Sequence, residues 1–234
     1  MLWVLAHPHA QSLNARLRDA GTASLRRDGW QVTESDLYAM GWDPVLADEG
    51  GADVQAEQAK LLAADLVVVQ FPLWWYGVPA ILKGWLDRVF ESGFGYDVVH
   101  PETGRVRKYG DGLLAGKRVL TVVTAGDRPG SLQPRGISGS IEDVLWPLLH
   151  GTFWYTGMLP LRPQLITRAR ELTGDQIAVQ EEELTTRLAG AMGEEPIGYL
   201  PLTEDYYDHS IALHDHVAVG EYGNDAHRAR VLAK

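Results

Sequence analysis

Three adjacent aromatic side chains sit between two prolines in Gln70-Phe71-Pro72-Leu73-Trp74-Trp75-Tyr76-Gly77-Val78-Pro79-Ala80, with one glycine and no charge. Aromatic faces attract flat rings beyond the area they bury. A stiff, uncharged shelf of this kind suits a planar, electron-poor ring system such as a flavin. The same composition also describes a loop that fills core. Residues 66–69 form a continuous apolar run that reads as a buried strand. Residues 80–91 read as a helix with Pro79 at its start, where proline is tolerated. The shelf therefore falls at the carboxyl end of a strand, where α/β sheets take ligands.

Two other strand ends carry polar chemistry. Residues 2–6 read as a first strand, followed by His7-Pro8-His9-Ala10-Gln11-Ser12-Leu13-Asn14. A loop entering a helix start offers unpaired N–H groups and a positive dipole end, and Gln11, Ser12 and Asn14 add neutral groups. The segment reads equally as a phosphate cradle and as a helix cap with a turn. It carries neither the glycine-rich dinucleotide fingerprint nor the lysine-containing phosphate loop. After a strand at 118–124 comes Thr124-Ala125-Gly126-Asp127, small residues that let backbone approach a ligand. Amides there could stabilise charge on a ring edge; an ordinary glycine turn is the other reading. Convergence of three loops on one sheet edge raises the ligand reading in all of them.

The elements that must position these loops alternate regularly. Helices are expected at 12–27, 53–64, 80–91, 141–155 (offset at Pro147) and 174–191, and strands at 2–6, 30–36, 66–70, 118–124 and 161–167. A βα repeat predicts a parallel sheet with helices on both faces. Residues 93–116 and 127–139 read as insertions rich in Gly, Pro and Arg. From Gly193 the helical periodicity is lost. The expected organisation is a domain over 1–192 and an extension over 193–234 that packs on the domain or on a partner subunit.

Composition narrows the function. The 234 residues carry a net charge of -10, which opposes a nucleic-acid partner, since phosphate binding needs a basic surface. There is no cysteine, so disulfides, thiolate metal sites and cysteine nucleophiles are excluded. No membrane span is visible, and the short apolar start lacks a signal's basic region, so a cytoplasmic location is expected. Gly110-Asp111-Gly112 precedes a strand instead of following one. Gly136 to Gly139 lacks the spacing of a nucleophile elbow. His209, His214 and His216 read as solvated, and no metal is expected.

The run from Gln70 to Phe90, with Phe-Pro-Leu, Trp-Tyr-Gly-Val-Pro-Ala-Ile-Leu-Lys-Gly-Trp and Asp-Arg-Val-Phe, resembles the NAD(P)H:quinone oxidoreductase (DT-diaphorase) family of flavodoxin-like flavoproteins. So do Val4-Leu5-Ala6-His7 with Ser12 and Asn14, Leu145-Trp146-Pro147, and Pro163-Gln164-Leu165. The resemblance covers roughly residues 1–200. It implies a flavodoxin-like three-layer α/β sandwich with a five-stranded parallel sheet, a homodimer with shared active sites, and FAD or, alternatively, FMN. The tail favours FAD, since an adenosine needs extra surface.

By resemblance, His7, Gln11, Ser12, Leu13 and Asn14 match the phosphate and ribityl loop. Pro72, Leu73, Trp74, Trp75 and Tyr76 match the loop along the flavin ring, and Thr124, Ala125, Gly126 and Asp127 the second flavin loop. Trp75, Tyr76 and Gly126 are the expected catalytic residues, with Tyr96 and Tyr155 closing the pocket from the partner subunit. Phe94 and Trp154 join these two as expected interface aromatics. Four positions depart from the family. Leu132 and Ser138 stand where best-known animal members have a Tyr and a His, Asp127 replaces a glycine, and Val98 replaces a pocket tyrosine. The implied activity is a two-electron reductase that passes hydride from NAD(P)H to quinones by ping-pong exchange. The alternatives are an ancillary flavoprotein of a potassium-efflux system and an electron-transfer flavodoxin. Arg128 and Arg135 could meet a 2′-phosphate or lie solvated, so the residues do not choose between NADH and NADPH.

Overall fold

Alternation of apolar residues along each central strand sends successive side chains to two opposite cores. Leu2, Val4, Val67, Val69, Phe71, Val119 and Val123 enter one cluster; Trp3, Leu5, Leu66, Val68, Leu120 and Val122 enter the other. Both sheet faces are thus covered, as parallel sheets require. The structure, a computed structural model, describes residues 1–47 and 50–229.

The strands are β1 (Leu2–Leu5), β2 (Thr33–Asp36), β3 (Leu66–Pro72), β4 (Arg118–Thr124), β5 (Leu159–Pro160) and β6 (Gln164–Ile166). All pairings are parallel, in the order β2-β1-β3-β4-β5, with β6 also on β4. The helices are α1 (Leu13–Arg27), α2 (Ala52–Ala63), α3 (Ala80–Val89), α4 (Ile141–Val144), α5 (Trp146–Leu148) and α6 (Gly174–Gly190). Helices α1 and α6 pack together over the Trp3 face; α2, α3 and the α5 region cover the other. This is the flavodoxin-like sandwich that the sequence predicts. Strand order reverses between β1 and β3, which opens a crevice at their carboxyl ends.

Three elements differ from expectation. The strand expected over 161–167 is reduced to Gln164–Ile166, with a separate two-residue piece, Leu159–Pro160, ahead of the expected range; between them Pro163 has no N–H to give the ladder. The helix expected over 141–155 is broken around Pro147 into α4, α5 and a π-helical turn, Leu149–Trp154. The proline removes the bond that would join the turns. The π-turn then rotates the residues that follow it. The expected second strand is also shorter, beginning at Thr33 instead of residue 30.

The first insertion is tied to the π-turn by backbone bonds. Tyr109 and Gly110 N–H groups donate to Tyr155 and Trp154 carbonyls at 2.9 and 2.8 Å, and Leu114 N–H to Thr156 at 2.9 Å. Phe94 is buried and Trp154 half-buried, and both pack on their own chain's core. The extension packs on its own domain, with Ile197 and Tyr199 in the core. Arg228, nearly buried, forks onto Glu142 and Asp143 at 2.7 and 2.8 Å. Residues 230–234 of the expected extension lie outside the described residues.

Helix α3 approaches the loop before α2 closely. A Cβ at residue 84 would lie 2.1 Å from the Pro44 carbonyl oxygen and 2.4 Å from its Cα. Gly84→Ala is therefore expected to destabilise the fold by about 1–3 kcal/mol through overpacking against backbone. A calorimetric melting temperature unchanged from the wild type would contradict this contact.

Candidate active site

Gln70 is the polar residue of an otherwise apolar strand, and it is fully buried. A buried amide must be bonded, and this one is. Its Nε2 donates to the Asn14 carbonyl at 2.8 Å and to Asn14 Oδ1 at 3.2 Å. Its Oε1 accepts from Trp3 Nε1 at 2.9 Å. Asn14 Nδ2 donates to Thr124 Oγ1 at 2.9 Å. The network joins β1, the start of α1, β3 and the end of β4. Asn14 and Thr124, expected as ligand contacts, use their side chains to hold the three strand ends together.

Ser12 caps α1, its Oγ accepting from Ala15 N–H at 3.1 Å. Its side chain thus serves the helix. The N–H groups of Leu13 and Asn14 beyond it have no protein partner among the described residues. His7 accepts from His9 N–H at 3.2 Å, and burial pulls its pKa down. Gln11 is exposed beside it. The helix start thus keeps free donors where an anion is favoured.

The second loop leaves Pro72, which is buried and paired in register with Thr124. Leu73 N–H donates to the Thr124 carbonyl at 2.8 Å. A four-residue turn follows, closed by Trp74 N–H to Gly77 O at 3.2 Å and Gly77 N–H to Trp74 O at 3.1 Å. Its two central residues, Trp75 and Tyr76, have φ of 51° and 59°. Such turns ordinarily use Asn-Gly. Left-handed backbone at bulky residues costs on the order of 1–3 kcal/mol each and concentrates at ligand sites. Trp75 is also 98% exposed. The fold gains nothing visible from an indole held in strain in water. Tyr76, half-exposed, sets its hydroxyl 3.0 Å from Ser138 Oγ on the second insertion.

The third loop begins with buried Ala125, whose N–H donates to Ile166 at 2.8 Å. Gly126 is exposed, and nothing lies within 4 Å of a Cβ placed on it. The Gly126 and Asp127 N–H groups take no partner among the described residues, while Asp127 O accepts from Arg168 N–H at 3.0 Å. Free helix-start donors, an aromatic turn and open loop amides form a set whose chemistry fits a flavin nucleotide.

A cavity of about 540 Å³ adjoins the turn, lined by Tyr76, Gly77, Phe90, Tyr96, Pro147 and Tyr155 among others. Tyr96 and Tyr155 thus share a cavity with Tyr76 inside one chain. Burial, with Tyr109 and Asp97 nearby, pushes the Tyr155 phenol up. The wall residues from α5 and the π-turn carried no polar signature in the sequence. Ser138 was visible there only as a departure from the family, and its contact with Tyr76 needed the fold. Leu132 is buried and Val98 nearly so, so neither brings a polar group to the site.

On the other side of the π-turn, His150 stacks on Trp146 at 4.3 Å and meets Tyr109 and Tyr199. Tyr207 stacks on His227 and bonds its Nδ1 at 3.0 Å. His214 and His216 stack on each other instead of converging with other ligand types.

A family model described as flavodoxin-like fold matches residues 1–188, and the chain belongs to that family. Within it, the chain belongs to the NAD(P)H:quinone oxidoreductases. It is 36% identical to a ribosyldihydronicotinamide dehydrogenase-like protein of Penicillium crustosum, covering 92% of this chain and 90% of that one. It is 34% identical to NAD(P)H dehydrogenase (quinone) 1 of Rattus norvegicus, over 86% and 80%. A crystal structure of a proposed quinone reductase from Klebsiella pneumoniae superposes with a TM-score of 0.91 at 37% identity, covering 97% of this chain and 98% of that one.

Two outcomes follow from these contacts. Gln70→Leu would strand the Trp3 N–H and the Asn14 acceptors in the core, and is expected to cost about 2–4 kcal/mol in urea unfolding. A loss below half a kcal/mol would show that the network is dispensable. His150 is lowered from 6.5 to about 4, by burial first, then by His227 and Arg228. The unfolded chain takes up this proton first. Stability is therefore complete above about pH 6.5 and is lost as pH falls toward 4, by roughly 1–2 kcal/mol after solvent screening. His150→Phe should flatten that slope between pH 7 and 5, and an unchanged slope would assign it to other groups.

Proposed function

We propose that this chain is a flavin-dependent reductase that moves hydride from NAD(P)H to quinones or similar flat electrophiles. The strained, exposed Trp74–Tyr76 turn carries the reading: it is costly to the fold and suited to a flat ring. Bound flavin supplies the hydride chemistry, accepting from one substrate and delivering to the next. Leu13 and Asn14 amides at the α1 start would hold its phosphate, with His7, Gln11 and Ser12 flanking. Pro72, Leu73 and the turn would lie along the ring, and the Gly126 and Asp127 amides would face its pyrimidine edge. FAD is the preferred form. Trp75 and Tyr76 offer one flat floor to both substrates, which must then alternate on it; ping-pong kinetics follow from that shared floor.

The reading includes a homodimer in the cytoplasm. Trp75 and Tyr96 are exposed beside the 540 Å³ cavity, and aromatics favour buried interface centres. A second copy would cover them, with Tyr96 and Tyr155 of one subunit closing the site of the other. The division into a flavin domain over 1–192 and an extension over 193–234 belongs to the same proposal. Among the described residues no helix is long and apolar enough to cross a membrane.

The purified protein is expected to be yellow, with one flavin per subunit identified by mass after release. A colourless protein that takes up neither added FAD nor FMN would end the reading. Trp75→Ala is expected to lower quinone turnover roughly 2- to 10-fold with flavin retained; unchanged turnover would make the shelf structural. Light scattering at working concentration should give a dimer, and a monomer reducing quinone at full rate would reject the shared site.

A further inference from the structure

Around the 540 Å³ cavity most polar side chains are already committed. Lys83 and Asp87 pair with each other. Thr156 Oγ1 donates to the Thr152 and Phe153 carbonyls, and Thr152 Oγ1 to that of Pro147. Three phenols remain: Tyr76, Tyr96 and Tyr155. Tyr155 is pushed up by burial and by its neighbours, which opposes giving up a proton. Tyr76 alone has a second hydroxyl set on it, Ser138 Oγ at 3.0 Å.

That contact spans 62 residues of chain and joins the strained turn to the second insertion. Ser138 is itself held by its backbone, its N–H donating to Ser131 O at 3.1 Å. Either oxygen can donate in the pair. When Ser138 donates to the phenol oxygen, the phenol proton is freed to point elsewhere, and a chain of hydroxyls polarises its outer end. The phenol belongs to the same turn as the Trp75 indole, so its proton lies at the border of the aromatic floor.

We propose that Ser138 is a positioning residue that aims the Tyr76 proton at the carbonyl oxygen of a ring lying on the shelf. The pair would thereby select carbonyl-bearing rings over plain aromatic ones. The inference rests on the quinone-reductase reading. The ring receives an electron pair and one hydrogen as hydride, drawn from NAD(P)H, which leaves as NAD(P)⁺. The carbonyl oxygen takes the second hydrogen as a proton: the Tyr76 O–H bond breaks as the new O–H bond forms. The resulting phenolate is held by the Ser138 O–H and regains a proton from water. Two electrons and two protons reach the quinone, and it leaves as a hydroquinone.

The test uses the flavin-loaded full chain and the variants Tyr76→Phe, Ser138→Ala and Ser138→Thr. Anthraquinone-2-sulfonate and anthracene-2-sulfonate are titrated without NAD(P)H, and tryptophan fluorescence reports their dissociation constants. The wild type is expected to favour the carbonyl probe, and Tyr76→Phe to lose that preference by about 5-fold, as for one neutral hydrogen bond. Ser138→Ala should lose roughly 2- to 3-fold of it, and Ser138→Thr should restore it. In turnover, Tyr76→Phe should make the rate rise with buffer-acid concentration, because the proton then comes from solution. Melting temperatures within a few degrees of wild type confirm that the variants fold. A Tyr76→Phe protein with the wild-type probe ratio, or Ser138→Thr indistinguishable from Ser138→Ala, overturns the inference. Flavin content is read separately from absorbance. A colourless wild type defeats the quinone-reductase reading, whereas a yellow one with an unaltered ratio in all variants defeats only the hydroxyl pair.

Discussion

One buried amide decides where the sheet stops and the site begins. Gln70 continues the row of Leu66 and Val68 toward the α1 side, yet it places a polar group where the others place methyls. In a low-dielectric interior such a group is costly unless every arm is bonded. Trp3, Asn14 and, through Asn14, Thr124 supply the partners. The result is a cross-tie at one level of three strands. Register agrees with it: Leu5 sits opposite Gln70, and Pro72 opposite Thr124. All three loops leave from that level, so their free amides and the aromatic turn face a common space. Separate strands with slack ends would scatter the same residues.

Above the cross-tie the constraint changes from burial to strain. Trp75 and Tyr76 sit in a backbone region that glycine would occupy at no steric cost. Two backbone bonds across the turn and the Tyr76–Ser138 contact hold them there. The rigid sheet end makes this possible, because Leu73 is pinned to Thr124 immediately before the turn. A flexible loop would relax the strain and lose the flat floor. Rigidity below and strain above are thus parts of one arrangement, with the ligand surface at the top.

Much of this was readable from residue types, and the reasons for the rest are physical. Central strands were legible because both faces are buried, leaving continuous apolar runs such as 66–69. The strand-end loops were legible because proline, glycine and adjacent aromatics rarely occur together without a reason. The break at 161–163 and the π-turn were not, since a proline announces an interruption without saying what replaces the missing bond. Asn14 and Thr124 were assigned to the flavin loops by the family resemblance. Their side chains bond each other across 110 residues of chain, a separation no local pattern reports. Gln70 drew no reading of its own from the sequence. A polar residue in an apolar strand must be bonded, but the identity of its partners required the topology. The family resemblance supplied the roles of the loops, which residue spacing alone left divided between cap and cradle.

The chemistry of the candidate site is notable for what charges it does not use. The chain carries ten more acidic than basic residues, yet apart from Asp127 the groups assigned to the shelf and its loops are amides, phenols, a serine and indoles. The nearby Lys83 and Asp87 neutralise each other. On the far side of the π-turn, burial keeps His150 neutral down to about pH 4. A fixed charge beside a redox-active ring would favour one of its charge states throughout a cycle that must pass through both. Neutral dipoles bias less and can reorient, as the Tyr76 and Ser138 hydroxyls are free to do. A site that must accept an electron pair from one visitor and release it to the next gains from that neutrality, which leaves the protein to supply position and protons.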